Sequence, residues 1–343
     1  MKFGVWYDFR NPVRWRQPYD QLYGEALEQA AWVDTIGFDS IWLSEHHSTD
    51  DGYLPSIFPM LAALAVQTKR VRLASACILA PFQHPIRFAE DAAVVDQLSG
   101  GRLELGVAPA YRVEEFALFG IAPAERGRRT AELVEIARQA WTGERFTYRG
   151  RYWTFEDVLV TPQPLQQPGP PIWIGGASTA AARRAGRLGC LFTPDSFAPV
   201  EIYDVYRATL TEHGHDPADF PIGTNRTFYV CEDPEKGWDD VKEHILYSHN
   251  LYREWFAAAG DHASSGPPLA DADELPRDIY VVGTPEQVIA EIEAMRSRFA
   301  FDHLYFWARL PGLDIEKSSQ SLELFARQVI PHFAPTALAG ARQ

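Results

Sequence analysis

Short β-branched or aromatic runs alternate with longer stretches of helical periodicity along the whole chain. Residues 3–7 predict a first strand. Residues 19–35 follow as an amphipathic helix, with Leu22, Ala26, Leu27, Ala30, Ala31 and Val33 as its apolar positions and Gly37 placed to end it. The same unit then recurs. Strand 40–43 precedes a short buried helix at 57–66. Strand 71–79, apolar enough to be covered on both faces, precedes helix 85–98, which Pro85 opens and Ser99-Gly100-Gly101 closes. Strand 102–107 precedes helix 128–141. A small hairpin at 146–153, turning at Arg149-Gly150, and a proline-rich crossing over 162–171 interrupt the series. It resumes with strand 172–174 and helix 178–188, strand 190–193 and helix 200–213, and strand 222–231 with a helical region over 238–259. A further helix at 287–298, strand 304–307 and a last helix at 319–333 complete it.

Eight strands, each followed by helix, imply a parallel sheet, and that number favours closure into an α/β (β/α)8 TIM barrel over an open doubly wound sheet. Such a barrel takes roughly 250 residues. The 343 present leave room for insertions, best placed near 113–126, 143–171 and 257–278. The last is rich in Gly, Ser, Pro and Asp and reads as a lid. No low-complexity linker and no internal repeat divides the chain, so residues 1–343 are expected to form one domain.

Composition narrows the function. A hydrophobic fraction of 46% is ample for a core and excludes general disorder. The net charge of −14 argues against a nucleic-acid partner. The longest apolar run, residues 57–66, contains Pro59 and falls short of the roughly 18 residues a membrane span needs. The opening residues show no basic region followed by an apolar one, so a cytoplasmic protein without a membrane partner is expected. Cys77, Cys190 and Cys231 lie far apart, without metal-ligand spacing, and read as reduced, buried strand residues.

In a barrel of this kind the chemistry gathers at the C-terminal ends of the strands. After the second strand comes Glu45-His46-His47, a titratable cluster whose desolvation would tune a base toward neutral pH. At least one of the two histidines is read as packing or capping. A metal site is disfavoured, because adjacent side chains on an extended segment point apart. After the fifth strand, Ile174-Gly175-Gly176-Ala177-Ser178-Thr179 lets backbone approach a ligand, and Ser178 or Thr179 can cap a helix whose N-terminus would hold an anion. An ordinary strand-to-helix turn is the competing reading, and both stand. The segment is neither a dinucleotide fingerprint nor a phosphate loop of the Walker type.

After the fourth strand, Ala108-Pro109-Ala110-Tyr111-Arg112 leaves space for a flat ring, or simply turns the chain. Arg126, Arg128 and Arg129 could meet a phosphate, but Glu132 and Glu135 nearby suggest an ion-paired helix face. Trp6, Phe9, Trp15, Tyr252 and Trp255 could line a pocket, with packing the plainer reading for each. No hydrolase elbow or Ser/His/Asp set stands out.

Several of these segments together resemble the bacterial luciferase-like flavin oxidoreductases. They are Gly37-Phe38-Asp39-Ser40-Ile41-Trp42-Leu43-Ser44-Glu45-His46-His47, and Pro81-Phe82-Gln83-His84-Pro85-Ile86-Arg87-Phe88-Ala89-Glu90-Asp91 continuing through Asp96-Gln97-Leu98-Ser99-Gly100-Gly101-Arg102 to Leu105-Gly106-Val107. Ile174 to Thr179, Val282-Gly283-Thr284-Pro285-Glu286 and Val329-Ile330-Pro331 continue it in family order. The block from Pro81 to Val107 is the most specific.

The resemblance implies a (β/α)8 barrel binding FMN, or in one branch F420, at the C-terminal mouth. It implies that Ser178, Thr179 and the Gly175–Ala177 backbone hold the flavin phosphate. Ser75 and Ala76 would match the family's bulge against the flavin, often a non-proline cis peptide, and Glu45 and His46 its acidic residue and catalytic histidine. Ala108 and Tyr111 would flank the ring. One departure is Ala108-Pro109-Ala110, where the family commonly carries a glycine-rich or arginine-bearing run. No side chain there can grip phosphate, so other donors such as Arg112 are needed, and light emission is disfavoured.

What the resemblance implies is a two-component monooxygenase. A separate flavin reductase would supply reduced FMN, which would react with O2 through a C4a-peroxyflavin and oxidise a small organic substrate such as an aldehyde, ketone or sulfonate. The 257–278 lid would exclude water, and His46 would act as acid or base. An F420-dependent dehydrogenase or reductase is the alternative, with a non-catalytic flavin-binding subunit third. A homodimer is expected.

Overall fold

The computed structural model of the protein describes residues 1–260 and 266–334. Eight parallel strands form its centre: β1 (Lys2–Tyr7), β2 (Ser40–Leu43), β3 (Arg72–Ser75), β4 (Leu103–Ala108), β5 (Ile172–Gly175), β6 (Leu191–Thr193), β7 (Gly223–Asn225) and β8 (His303–Trp307). Neighbours from β1 to β6 pair in sequence order, and β8 lies between β7 and β1. Isolated bridges, Phe192 to Ile222 and Asp195 to Asn225, join β6 to β7, so the ring closes as a (β/α)8 barrel.

Helices wrap the outside. Tyr19–Ile36 ends at Gly37, whose φ of 115° is one that glycine adopts without strain. Pro85–Ser99 ends likewise at Gly100, with φ 68°. The outward faces of the strands (Phe3, Val5, Ile41, Leu43, Leu73, Leu105, Ile174) meet the helices in one contiguous core. Barrel-facing positions carry aromatics instead. Trp42 stacks on Tyr305 at 4.3 Å and Trp6 on Trp307 at 4.3 Å. Each indole N–H finds a buried acceptor: Ser44 Oγ for Trp6, Ser40 Oγ for Trp42, Glu104 for Trp173 and Asp8 for Trp307. Gly4 is required here, since a Cβ on it would lie 2.3 Å from Ser40 Oγ.

The structure revises several expectations. Strand 71–79 is broken: Arg72–Ser75 and a short piece, Ile78–Leu79, both pair with β4, and the Ala76–Cys77 peptide between them is cis. Strand 222–231 also divides. Gly223–Asn225 stays in the barrel, whereas Phe228–Val230 pairs outside it with Val281–Gly283. The chain leaves the ring at Arg226, a buried cation that reaches Glu291 at 3.3 Å and the Asp278 carbonyl at 3.0 Å. The three cysteines are free but lie just outside strands, and only Cys190 is fully buried.

The excursion hairpin is longer than its sequence suggested, pairing Phe146–Arg149 with Thr154–Val158. Buried Glu132 accepts from the backbone N–H groups of Arg151, Tyr152 and Trp153 and so ties its turn to the helix Arg126–Ala140. Residues 113–126 hold the helix Val113–Leu118. Of the 257–278 lid, residues 261–265 lie outside those described. Among the described residues no helix is long and apolar enough to cross a membrane.

Candidate active site

The segment after β2 is extended, so consecutive side chains face opposite ways. Glu45 and His47 share one side, with His47 Nε2 2.7 Å from Glu45 Oε1. Glu45 also accepts from Leu79 N and from Gln83 Nε2, each at 3.2 Å. Its carboxylate is thus committed to holding the β2 and β3 ends together. His46 faces the other way, and its carboxylate partner is Glu115, whose Oε1 lies 2.9 Å from Nδ1.

Glu115 is the residue that sequence reasoning missed. It is buried, accepts from His47 N at 2.8 Å and faces Arg112 Nη1 at 3.4 Å. Burial would raise its pKa, but these bonds and the Arg112 charge hold it below the usual carboxylate value. Burial lowers the His46 pKa, and the Arg112 and Arg10 cations add to this against the opposing pull of Glu115. At neutral pH the pair is therefore a carboxylate beside a neutral imidazole. Nδ1 carries the proton to Glu115, leaving the Nε2 lone pair facing the Tyr111 hydroxyl at 3.3 Å. Nothing in the sequence separates buried Glu115 from exposed Glu114.

Aromatic rings enclose His46. Tyr53, Trp255 and Tyr111 lie 4.8, 4.8 and 5.4 Å from it, centroid to centroid. Trp255 comes from the end of the helix Pro234–Ala258, which also stacks Phe256 on Tyr111 at 5.1 Å. Arg112 lies over Trp255 and is bonded to the His47 carbonyl, so it belongs to this wall rather than to a phosphate seat. Behind Tyr53, Arg10 pairs with Asp8 at 2.8 Å and lies over the Tyr53 and Tyr252 rings. Arg10 Nη1, Arg112 Nε and Glu115 Oε2 are buried without partners among the described residues.

The centre of the mouth is built from small residues. Ser75 Oγ donates to the Gly106 carbonyl and accepts from Gly106 N, so its side chain stitches β3 to β4 and is fully buried. Ala76 packs with the barrel aromatics. A Cβ on Gly175 would lie 2.4 Å from Cys77 Sγ and 3.5 Å from Ala108, so Cys77, Ala108 and Gly175 form one surface. Ile174 is buried beneath it.

Beyond Gly176, at φ 129°, Ser178 caps the helix Thr179–Arg187 by accepting from Ala181 N at 3.2 Å. Ala177, Ser178, Thr179 and Ala180 are exposed, which leaves the helix N-terminus open. Arg126 Nη1 reaches the Ala110 carbonyl at 3.5 Å, and the Arg184 guanidinium lies against Gly127. Burial, together with the Arg187 and Arg126 charges, lowers the Arg184 pKa. Neither Arg126 nor Arg184 forms an ion pair among the described residues. By contrast, Arg128 and Arg129 are paired to Glu132 and Glu125.

A cavity of about 890 Å³ opens at the opposite, N-terminal end of the barrel, between Arg72, Glu104, Trp141, Trp173 and His303. The histidine–carboxylate pair, the open helix end, Arg126 and Arg184 all lie at the other face, where barrel sites sit. Among the described residues no group of His, Cys, Asp and Glu side chains could hold a metal.

Residues 1–302 match the family described as luciferase-like monooxygenase. The chain is 30% identical over 335 residues to the flavin-dependent trigonelline monooxygenase, oxygenase component, of Acinetobacter baylyi, covering 93% of this chain and 92% of that one. It is 33% identical over 321 residues to an F420-dependent glucose-6-phosphate dehydrogenase of Microbacterium testaceum, covering 90% and 92%. The crystal structure of monooxygenase RslO1 from Streptomyces bottropensis superposes with a TM-score of 0.85 at 28% identity, covering 97% of this chain and all of that one.

Proposed function

The chain belongs to the luciferase-like monooxygenase family, and from that premise we propose that it is the oxygenase of a two-component system. It takes reduced FMN from a separate flavin reductase and uses O2 to oxidise a small organic substrate. The observation that carries this reading is His46 Nδ1 held 2.9 Å from buried Glu115, in an aromatic wall of the same mouth that holds an open helix end and two arginines without an ion pair among the described residues.

The residues fit a flavin nucleotide. The Ser178 helix end would hold the phosphate, with Arg126 and Arg184 supplying the charge that Ala108-Pro109-Ala110 lacks. The surface of Cys77, Ala108 and Gly175 would support the ring. Bound there, the reduced flavin supplies the electrons that activate O2. The protein's share is position, dryness and proton handling. Tyr53, Tyr111, Trp255 and Phe256 exclude water and favour a largely apolar substrate. Imidazole and carboxylate together hold and return the proton that the substrate gives up. The exposed Val66, Val94 and Leu98 on the adjoining helices Ile57–Gln67 and Pro85–Ser99 support a homodimer.

The similarity to an F420-dependent dehydrogenase motivates a second reading, hydride transfer with His46 as proton relay. The net charge of −14 favours FMN over a cofactor with a polyglutamate tail. The intact His46–Glu115 pair weighs against a non-catalytic subunit. Anaerobic titration with reduced FMN and with F420, followed by admission of oxygen, separates the readings. Binding of reduced FMN followed by oxygen uptake and substrate oxygenation supports the oxygenase. Tight F420 binding without oxygen uptake supports the reductase and overturns the proposal.

A further inference from the structure

Both ring nitrogens of His46 are engaged, and that limits what His46 can touch. Nδ1 faces Glu115 at 2.9 Å and Nε2 faces the Tyr111 hydroxyl at 3.3 Å. Tyr53 and Trp255 lie against it at 4.8 Å each, centroid to centroid, and the residue is only 6% exposed. Tyr111 is half-buried and stands beyond His46 on the segment after β4, so it is the outermost member of the chain Glu115–His46–Tyr111. Its contact is long for a hydrogen bond, as catalytic contacts commonly are before ligands close on them.

We propose that Tyr111 is a catalytic residue of this site, its hydroxyl being the group that exchanges a proton directly with the substrate while His46 and Glu115 recharge it from behind. The inference rests on the oxygenase reading above. As substrate X–H loses its proton, the X–H electron pair stays on X and a new Tyr111 O–H bond forms. The old Tyr111 proton passes to His46 Nε2, and the resulting imidazolium keeps its Nδ1–H bond to the Glu115 carboxylate. The reverse sequence returns the proton to the product oxyanion, so no outside acid, oxidant or reductant is needed for this step.

The charges around the relay suit that direction. Burial, helped by the Arg112 and Arg10 cations, keeps His46 neutral and ready to accept, and Glu115 stabilises it once charged. Burial, reinforced by Tyr252 and Glu115, raises the Tyr111 pKa well above its ordinary value, so the phenol holds its proton until Nε2 takes it. A phenol that acts only as a conduit needs no low pKa of its own. Tyr53, hydrogen-bonded to Ser44 and to the Tyr252 hydroxyl, lies on another side of the imidazole and meets neither ring nitrogen.

The test uses Tyr111→Phe, which keeps the ring and its stack on Phe256. In the flavin-free protein, ring nitrogen-15 NMR should show an unprotonated His46 Nε2 at neutral pH, with a shift that moves when Tyr111→Phe removes the donor. In turnover, Tyr111→Phe should lower kcat by about 100-fold with the substrate KM little changed. The double variant with His46→Gln should be no slower than the slower single variant, as expected of residues acting in series. An unchanged Nε2 shift, or a Tyr111→Phe enzyme as fast as wild type, overturns the relay while leaving the oxygenase reading intact. A wild type that binds reduced FMN but never oxygenates overturns the oxygenase reading, whatever the NMR result.

Discussion

Glu115 Oε1 sits 2.9 Å from His46 Nδ1 although 69 positions separate the two residues, and this pairing decides the chemistry of the mouth. A buried carboxylate on Nδ1 fixes one tautomer and stabilises the imidazolium that forms during proton transfer. Replacing it with an amide keeps the shape and removes the charge. Glu115→Gln should lower kcat/KM by about 100-fold. Glu115 is also the group that raises the His46 pKa against burial, so the acid limb of the pH profile should move further below 6.5. Glu115→Asp should restore part of the rate. A Glu115→Gln enzyme with an unaltered pH profile would show that His46 does not depend on this carboxylate.

Phosphate recognition gives a second expectation. On the proposed reading, Arg126, held at the Ala110 carbonyl after β4, and the open Ser178 cap after β5 together take the phosphate. Arg126→Ala should weaken FMN binding by about tenfold, a loss of roughly 1.4 kcal/mol, while riboflavin, which lacks the phosphate, binds as before. Fluorescence titration of both ligands checks this. Equal weakening of the two would move the phosphate elsewhere.

The barrel itself was legible because strand and helix periods differ and repeat. Each of the eight barrel strands falls within or overlaps a run the pattern placed, although two of those runs, 71–79 and 222–231, are longer than the strand they contain, and Gly37 and Gly100 end their helices as their positions suggested. The breaks at Ala76–Cys77 and Arg226 were not legible as such, since apolar content alone does not show where a strand leaves its ladder. At the site, the sequence pointed to the right strand ends but not to side-chain partners. Glu45 follows β2 as directly as His46 does, yet alternation along an extended segment turns it toward His47. Glu115 was hidden because its neighbour in space is fixed by the fold; Trp255 stood among the candidate pocket aromatics, but only the path of a 25-residue helix shows that it lies against His46.

Ser75 carries a third prediction. Its Oγ exchanges hydrogen bonds with both backbone groups of Gly106, at 2.8 and 2.9 Å, in a site closed to solvent. Ser75→Ala would leave that N–H and carbonyl short of partners, at a cost of about 2–3 kcal/mol. Urea midpoints should fall accordingly, with FMN affinity of the folded variant little changed. Gly106→Ala should be worse, because its Cβ would meet the Ser75 carbonyl oxygen at 1.9 Å. A Ser75→Ala protein of normal stability but poor FMN binding would instead assign the hydroxyl to the ligand.

Acid sensitivity should come chiefly from the barrel floor. His303 is buried, its Nε2 2.7 Å from Ser40 Oγ, and burial, reinforced by the Lys2 and Arg72 cations, lowers its pKa from 6.5 to about 3. Above pH 6.5 the imidazole is neutral whether the chain is folded or not, and the stability associated with it is fully present. As pH falls below 6.5 the unfolded chain takes up a proton that the folded one refuses, so stability is lost progressively until about pH 3, where the folded state can protonate too. At pH 5 one such group costs about 2 kcal/mol. His46, His244 and His249 are shifted in the same direction and add to the slope. His303→Asn should be less stable than wild type at pH 7.5 through its poorer fit to Ser40, but its loss between pH 7.5 and pH 5 should be smaller by about 2 kcal/mol. Denaturant midpoints at the two pH values measure this difference. Equal losses in variant and wild type would mean that His303 is charged in the folded barrel, which its burial beside two cations opposes.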